Sequence, residues 1–237
     1  QSMLSSINPL SLNDYGYTGL GVKVAVVDTG IDSSHSEFNG RAIYGYDFTG
    51  SATGYGADEN GHGSHVASIL SGDRDATGMR GVAYDATLYD YKTDNDGDIG
   101  LEAISSDTGI AAIFNQHVTD NINVSNNSWG LGSSITSRTE SSIRSSLPNT
   151  ITALRAAQNN GTLFVFASGN DTNSEVDYAG GLPYRISELV NEWLVVGAVS
   201  TSGVEASFNN RCGVAKDFCV VAPGVSINAA QANGTYT

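Results

Sequence analysis

Short apolar runs rich in β-branched residues alternate along the chain with longer segments whose apolar residues recur at helical spacing. The short runs are nearly continuous, which is typical of strands that are buried on both faces. They predict six strands, at 22–27, 86–91, 122–124, 162–166, 193–196 and 218–221. Between the strands we predict helices after His62 and over 101–116 and 150–159, and loops over 48–63 and 130–149. This alternation predicts an α/β fold with a mostly parallel β-sheet flanked by helices on both faces.

The composition favours one globular domain. The chain has 237 residues, of which 40% are hydrophobic, so it can bury a sizeable core. Its 25 acidic and 11 basic residues give a formal net charge of −14, which argues against nucleic acid or an anionic membrane surface as a partner. No run approaches the ~20 apolar residues that a transmembrane helix needs. We therefore expect a single domain over residues 1–237, with no nucleic-acid partner and no membrane contact.

Two segments place titratable side chains at the predicted edge of the sheet. Asp28 ends the first apolar run, and open parallel sheets bind ligands at the carboxyl ends of their strands. Taken alone, it could equally cap the turn at Thr29-Gly30. His62 lies between two glycines directly before a helical run, which is an unusual position for a core histidine. His65 falls within the first helical turn, where packing or a local hydrogen bond explains it better.

Five motifs, in this order along the chain, resemble the subtilisin-like serine proteases. Val-Val-Asp-Thr-Gly-Ile-Asp at 26–32 and His-Gly-Ser-His-Val-Ala at 62–67 resemble the family's Asp and His motifs. Asn-Ser-Trp-Gly at 127–130 resembles a segment that lines the substrate cleft, and Phe-Ala-Ser-Gly-Asn at 166–170 resembles one wall of the primary specificity pocket. Val-Ala-Pro-Gly at 221–224 resembles the turn before the nucleophile. The resemblance covers nearly the whole chain and implies a serine endopeptidase that acts on polypeptides.

The resemblance implies roles for individual residues. His62 corresponds to the general base and Asp28 to its orienting partner, since a serine hydroxyl becomes nucleophilic only when a neutral imidazole takes its proton. Asn170 corresponds to the side chain that donates a hydrogen bond to the oxyanion. This chemistry requires no cofactor. Substrate binding is implied for eight further residues: Gly97, Asp98, Ser128, Trp129, Gly130, Ala167, Ser168 and Gly169.

The nucleophile of this chemistry has no counterpart in the sequence. In the family it lies in a Gly-Thr-Ser motif, which occurs nowhere in the 237 residues. Ser64, Ser128, Ser168 and Ser226 stand in other contexts, and we assign none of them as nucleophile. The chain resembles the amino-terminal portion of a protease, so we expect a second chain or a C-terminal segment to carry the serine and the isolated chain to be inactive. The alternative is a non-catalytic peptide-binding or structural fragment of such a protease.

An acidic segment opens like a calcium-binding loop, with carboxylates at Asp94, Asp96 and Asp98. The pattern then fails, because Ile99 stands where the loop needs glycine and Ser105 where it needs a bidentate glutamate. We therefore assign no metal ligands, although the resemblance allows a structural calcium ion. By resemblance the segment borders the subsites upstream of the cut, where an extended substrate joins the edge as a strand.

Acidic residues near the implied cleft bear on specificity. Asp171 directly follows Asn170, and the acidic segment borders the upstream edge. We expect basic or polar substrate side chains to be tolerated and acidic ones to be disfavoured, because like charges repel in a partly desolvated cleft. The alternative is that all of these carboxylates are solvated and screened.

The two cysteines, Cys212 and Cys219, lie close together in sequence with no histidine beside them, which argues against a zinc site. We interpret them as a local disulfide, and a pair of reduced, buried thiols is the alternative. The segment also resembles the subtilisin-like passenger domains of bacterial autotransporters. The disulfide and the resemblance to autotransporter passenger domains both imply a secreted or cell-surface, extracytoplasmic location.

Overall fold

The computed structural model describes residues 13–38, 41–50, 54–75, 77–94 and 103–237. The chain divides into two compact units. The first unit comprises residues 1–98 and 226–237, and the second comprises residues 99–225. The expectation of one domain over residues 1–237 stays a prediction.

The strands and helices of the described residues follow one another in a mostly alternating order. In chain order they are β1 (Lys23–Asp28), β2 (Tyr44–Asp47), α1 (His62–Ser71), β3 (Thr87–Lys92), α2 (Asp107–Asp120), β4 (Val124–Asn127), α3 (Glu140–Ser146), α4 (Pro148–Asn159), β5 (Leu163–Ala167), α5 (Leu182–Arg185), β6 (Trp193–Val199), β7 (Cys219–Pro223), β8 (Ala230–Gln231) and β9 (Thr235–Tyr236).

Three parallel strands in the order β2–β3–β1 form the sheet of the first unit. β1 and β3 pair in register, and Asp28 at the end of β1 lies opposite Lys92 at the end of β3. All of β1 after Lys23 is buried, as its continuous apolar run predicts. The core of this unit joins the strands to α1 through Val26, Ile31, Phe38, Ala67 and Leu88.

Four parallel strands in the order β4–β5–β6–β7 belong to the second unit. Aromatic side chains hold β5 in place. Phe164 meets Phe114 of α2 edge to face with ring centroids 5.3 Å apart, and Phe166 stacks on Trp193 of β6 at 4.6 Å. Such rings bury large apolar areas in defined geometries. The cluster therefore fixes the strand that leads into the motif at 166–170.

The predicted fold class is confirmed: the fold is α/β, with mostly parallel strands flanked by helices. Each of the six predicted runs overlaps an observed strand. The helix predicted from residue 101 begins instead at Asp107, because the Ser106 side chain accepts a hydrogen bond from the Gly109 amide and caps that end.

Two local predictions were wrong or incomplete. The loop predicted over 130–149 contains α3, whose start is fixed by a capping box between Thr139 and Ser142 and whose Ile143 is buried. Strand β2 was not predicted, because its alternating Tyr44 and Tyr46 are half exposed and lack a continuous apolar run.

The second unit contains the predicted disulfide. Cys212 and Cys219 are bonded, with their Cα atoms 5.9 Å apart, across a 3₁₀ turn at Gly213–Phe218. The bond ties that turn to the first residue of β7. Among the helices that the structure describes, none is long and apolar enough to cross a membrane.

Candidate active site

Asp28 and His62 meet at the carboxyl edge of the first unit's sheet. Asp28 is the last residue of β1 and is 6% exposed. His62 is the first residue of α1. The His62 Nδ1 atom lies 2.6 Å from Asp28 Oδ1, while the imidazole remains about half exposed, at 49%. The structure thus brings together the two residues for which sequence predicted an acid–base pair.

The geometry of this pair fixes the state of the imidazole. Because Nδ1 faces a carboxylate, it carries the proton and donates it, which leaves the Nε2 lone pair free to accept one. The hydrogen bond to Asp28 raises the pKa of His62, against the opposing effect of burial, and the charges of Asp28 and Asp58 raise it further. A general base needs this arrangement: an accessible Nε2 lone pair and a nearby charge that stabilises the protonated ring.

A second buried carboxylate, that of Asp58, holds this geometry. Its Oδ1 accepts hydrogen bonds from the Thr29 hydroxyl at 3.0 Å and from the amides of Asn60 and Gly61 at 3.1 and 2.8 Å. Its Oδ2 accepts from the Ser64 amide at 2.9 Å and from the Ser64 hydroxyl at 2.7 Å. The donors other than Thr29 lie at the N-terminus of α1, where amides lack helical partners and negative charge is favourable.

Thr29 completes the connection between the strand and the helix. It directly follows Asp28, and its hydroxyl donates to Asp58 while accepting the Gly63 amide at 2.9 Å. The residue after the candidate acid is thus bonded to the residue after the candidate base. Rotation of either element would break these buried hydrogen bonds, so the Asp28–His62 distance is set by the surrounding backbone.

Asp90 and Lys92 organise the loop that precedes α1. Asp90 is fully buried on β3, and its carboxylate accepts the amides of Ile31 at 3.1 Å and Gly56 at 2.7 Å. Burial raises the pKa of Asp90 to about 7. The ammonium of Lys92, also fully buried, donates to the Ala57 carbonyl at 3.1 Å and pairs with the Glu59 carboxylate.

His65 occupies a different environment from His62. Its Nε2 lies 3.2 Å from the Ile227 carbonyl and donates to it. Burial lowers the pKa of His65. A local hydrogen bond therefore accounts for His65, as the sequence analysis favours, and His62 is the histidine that faces Asp28.

In the second unit, the segment predicted to contribute an oxyanion donor follows β5. Ala167 ends the strand, and Asn170 is exposed three residues later. Ser168 is buried and donates its hydroxyl to Asn209 Oδ1 at 3.1 Å. Asn210 is also buried, and its Oδ1 accepts the amides of Asp171 and Asn173 at 2.9 Å each. Two consecutive asparagines thus hold both sides of Asn170 and leave its side chain exposed.

The second predicted substrate segment, Ser128–Gly130, follows β4. The Ser128 hydroxyl is half buried and accepts a hydrogen bond from Asn126 Nδ2 at 3.0 Å. The Trp129 indole is buried and meets Phe166 edge to face at 5.4 Å. The indole therefore packs into the core. The substrate-binding role of this segment, and that of Ala167–Gly169, stays a prediction.

The remaining predicted positions fall on the acidic segment. Gly97 and Asp98 lie outside the described residues, as does Asp96, whereas Asp94 is described and buried. Within the ranges that the structure describes, no three or more His, Cys, Asp or Glu side chains are grouped so that they could hold a metal ion. The described residues therefore offer no candidate ligand set for the structural calcium ion that the resemblance allows.

An aspartate at a strand end, bonded to a histidine at the start of a following helix, in the chain order Asp then His, is the arrangement of subtilisin-type serine proteases. The family model described as the subtilase family matches residues 19–237. The chain belongs to this family.

Individual proteins that are similar to this chain are also named subtilisins or serine proteases. Subtilisin NAT from Bacillus subtilis subsp. natto is 33% identical over 238 residues, which cover 98% of this chain and 54% of that protein. An extracellular serine protease from Serratia marcescens is 29% identical, across 90% of this chain and 23% of that protein. The structure of a cold-adapted subtilisin-like serine proteinase superposes with a TM-score of 0.69 at 25% identity, covering 93% of this chain and 69% of that one. The chain spans about half the length of the curated relatives that it matches first.

Sequence reasoning missed the residues that support the site. Asp58 had a usable signal, because an acidic residue shortly before a helix start often binds its free amides. No sequence signal of this kind marks three other supporting residues, Asp90, Asn209 and Asn210. Each lies far along the chain from the loop that it binds, at separations of 34 to 59 residues for Asp90 and 37 to 41 for the asparagines.

We predict that Asp58→Asn lowers the free energy of unfolding by about 1–3 kcal/mol, because an amide accepts through one oxygen only and leaves buried donors unpaired. The matched control is Asp75→Asn in an exposed turn, where Asp75 accepts from Thr77. This change should stay within about 0.5 kcal/mol. Chemical denaturation of the two variants measures the difference, and equal effects would contradict the role given to Asp58.

We predict that NMR titration of the histidine rings places the pKa of His62 above 6.5 and that of His65 below it. Since only neutral His62 can accept a proton, its basic form predominates only above that raised pKa. Asp28→Asn removes the accepting carboxylate and should lower the pKa of His62. His117, whose pKa burial lowers to about 4, serves as the internal reference and should not respond. An unchanged His62 titration in Asp28→Asn would contradict the pairing.

Proposed function

We propose that the protein is a serine endopeptidase of the subtilisin type, in which Asp28 and His62 supply the acid–base machinery. The observation that carries this proposal is the 2.6 Å contact between His62 Nδ1 and the buried Asp28 carboxylate. It leaves Nε2 on a half-exposed ring, where a serine hydroxyl can approach. Membership of the subtilase family supports the same reaction class.

In the proposed reaction, the serine oxygen attacks the carbonyl carbon of a peptide bond as its proton passes to His62 Nε2. The Asp28 carboxylate stabilises the resulting imidazolium. Negative charge collects on the former carbonyl oxygen, toward which Asn170 donates a hydrogen bond. His62 then gives its proton to the departing amine as the C–N bond breaks. Water, activated by the same base, releases the acyl group and restores the serine.

We place the nucleophilic serine outside these 237 residues, on a second chain or a C-terminal segment. The Ser64 hydroxyl is buried and donates to Asp58, and the Ser168 hydroxyl is buried and donates to Asn209. Ser128 and Ser226 lie outside any Gly-Thr-Ser motif. On this proposal the chain supplies the base and its orienting acid but lacks triad activity by itself.

The proposed substrates are polypeptides, and the proposed location is extracytoplasmic, either secreted or on the cell surface. The Cys212–Cys219 disulfide supports this location, because such bonds persist in oxidising compartments. The relative from Serratia marcescens is named an extracellular serine protease. The narrower resemblance to autotransporter passenger domains stays a prediction.

We expect His62→Ala to reduce peptide hydrolysis by the complete protein roughly 10⁴-fold or more, because the base is lost. His65→Ala is the matched control, since it removes a neighbouring histidine that donates only to a backbone carbonyl. It should retain most activity. Hydrolysis of a quenched fluorescent peptide measures both variants. Activity that survives in His62→Ala and disappears in His65→Ala would reverse the assignment, and an inactive complete protein would favour a non-catalytic peptide-binding role.

A further inference from the structure

A cleft of about 700 Å³ opens in the first unit, at the sheet edge where β1 and β3 begin. Lys23 at the start of β1 and Thr87 at the start of β3 both line it. Asp28 lies at the other end of β1, so the cleft is separate from the candidate active site. Its volume is within the range of about 300–1,000 Å³ that small-molecule sites occupy. The proposed reaction uses none of the residues that line it.

An exposed aromatic ring forms one wall of this cleft. Tyr44 of β2 is 51% exposed and stacks on Tyr89 of β3, with the ring centroids 5.4 Å apart and an angle of 27° between the rings. The contact orients the Tyr44 ring and leaves about half of it open to solvent. Tyr46, two residues along β2, points to the same face of the sheet and packs on Phe48 at 4.8 Å. The strand therefore presents two oriented rings in a row, on which a ligand can stack.

Charged side chains of both signs also line the cleft. Lys23 and Arg41 are the cations, and Asp73 and Asp85 are the carboxylates. The Lys23 Nζ atom lies 5.6 Å from the centre of the Tyr89 ring. Burial lowers the pKa of Arg41, and the charges of Asp73 and Asp85 act against that effect, which places both carboxylates within electrostatic reach of the guanidinium. Two positive and two negative groups leave the lining without a net charge.

This lining selects among ligand classes. An anion would meet two carboxylates in a chain whose net charge is −14, and a cation would meet an ammonium and a guanidinium. An apolar ligand would remove all four charged groups from water without offering them partners. A neutral ring that carries hydroxyl groups fits, because a hydroxyl accepts from the cations and donates to the carboxylates. The carbon-bound hydrogens of the same ring can lie against the face of Tyr44.

We propose that this cleft binds a neutral oligosaccharide, with one sugar ring stacked on Tyr44 and the chain continuing along β2 toward Tyr46. The site gives the protein a second binding activity, toward polysaccharide, at the opposite end of β1 from Asp28. This inference is independent of the proposed endopeptidase function, because it uses none of the residues assigned to catalysis.

NMR titration of the complete protein with cellohexaose, chitohexaose and maltohexaose, three neutral oligosaccharides, tests the proposal. At least one of them should shift the amide signals of Thr87 and Tyr89 with a Kd of about 1 mM or lower. Because the ligand is uncharged, that Kd should not change between low and high salt. Tyr44→Ala should weaken binding about tenfold or more, since the stacking surface is lost. The matched control is Tyr55→Ala, at a tyrosine that is 50% exposed and does not line the cleft, and it should leave the Kd unchanged.

A pair of milder variants decides the test if Tyr44→Ala does not fold. Tyr44→Phe keeps a flat ring and should bind within a few-fold of the wild type, whereas Tyr44→Leu is apolar but not flat and should bind clearly more weakly. Equal binding by these two variants would overturn the proposal, as would equal effects of the alanine changes at Tyr44 and Tyr55. It is also overturned if none of the three oligosaccharides shifts these signals at about 10 mM. Shifts caused by pentalysine or pentaglutamate, and by no oligosaccharide, would make the cleft a polypeptide site instead.

Discussion

The carboxylate of Asp58 holds Asp28 and His62 at hydrogen-bonding distance from each other. It binds the hydroxyl of Thr29, next to Asp28, and the amides that open the helix of His62. Thr29 belongs to the segment that follows β1, and the amides belong to the start of α1. Because Asp58 is bonded to both segments, their backbone positions bring Asp28 and His62 into contact. This arrangement suits the role proposed for His62, because a general base that is already oriented does not have to be repositioned at each turnover.

Buried carboxylates bonded to backbone amides recur in both units. Asp58 and Asp90 do this in the first unit and Asp177 in the second. Each connects a loop to a parallel strand or to the residues that follow one. The carboxyl ends of parallel strands are where open sheets of this kind bind ligands. Burying such a charge is costly, and hydrogen bonds from amides offset part of that cost. Some of the acidic residues in this chain, whose net charge is −14, are therefore buried and hold loops by accepting hydrogen bonds from backbone amides.

The sequence predicts the elements whose signal is local. The continuous apolar run of β1 identifies a buried strand, and the motifs around Asp28 and His62 identify the pair that the fold brings together. Asp177 and Asn210 could not be assigned in this way, because each acts on a loop distant in sequence and neither lies in a recognisable motif. The capping box of α3 shows the opposite case, a local signal at Thr139 and Ser142 that was present and overlooked.

On the proposed function, Asp28 and His62 serve a serine nucleophile that lies outside residues 1–237. A fluorophosphonate label on the complete protein, mapped by tandem mass spectrometry, identifies that serine. We expect one labelled serine, in a Gly-Thr-Ser motif outside residues 1–237, and we expect the labelling to be lost in His62→Ala and retained in His65→Ala. A label on Ser64, Ser128, Ser168 or Ser226, or labelling that is indifferent to His62, would contradict this proposal.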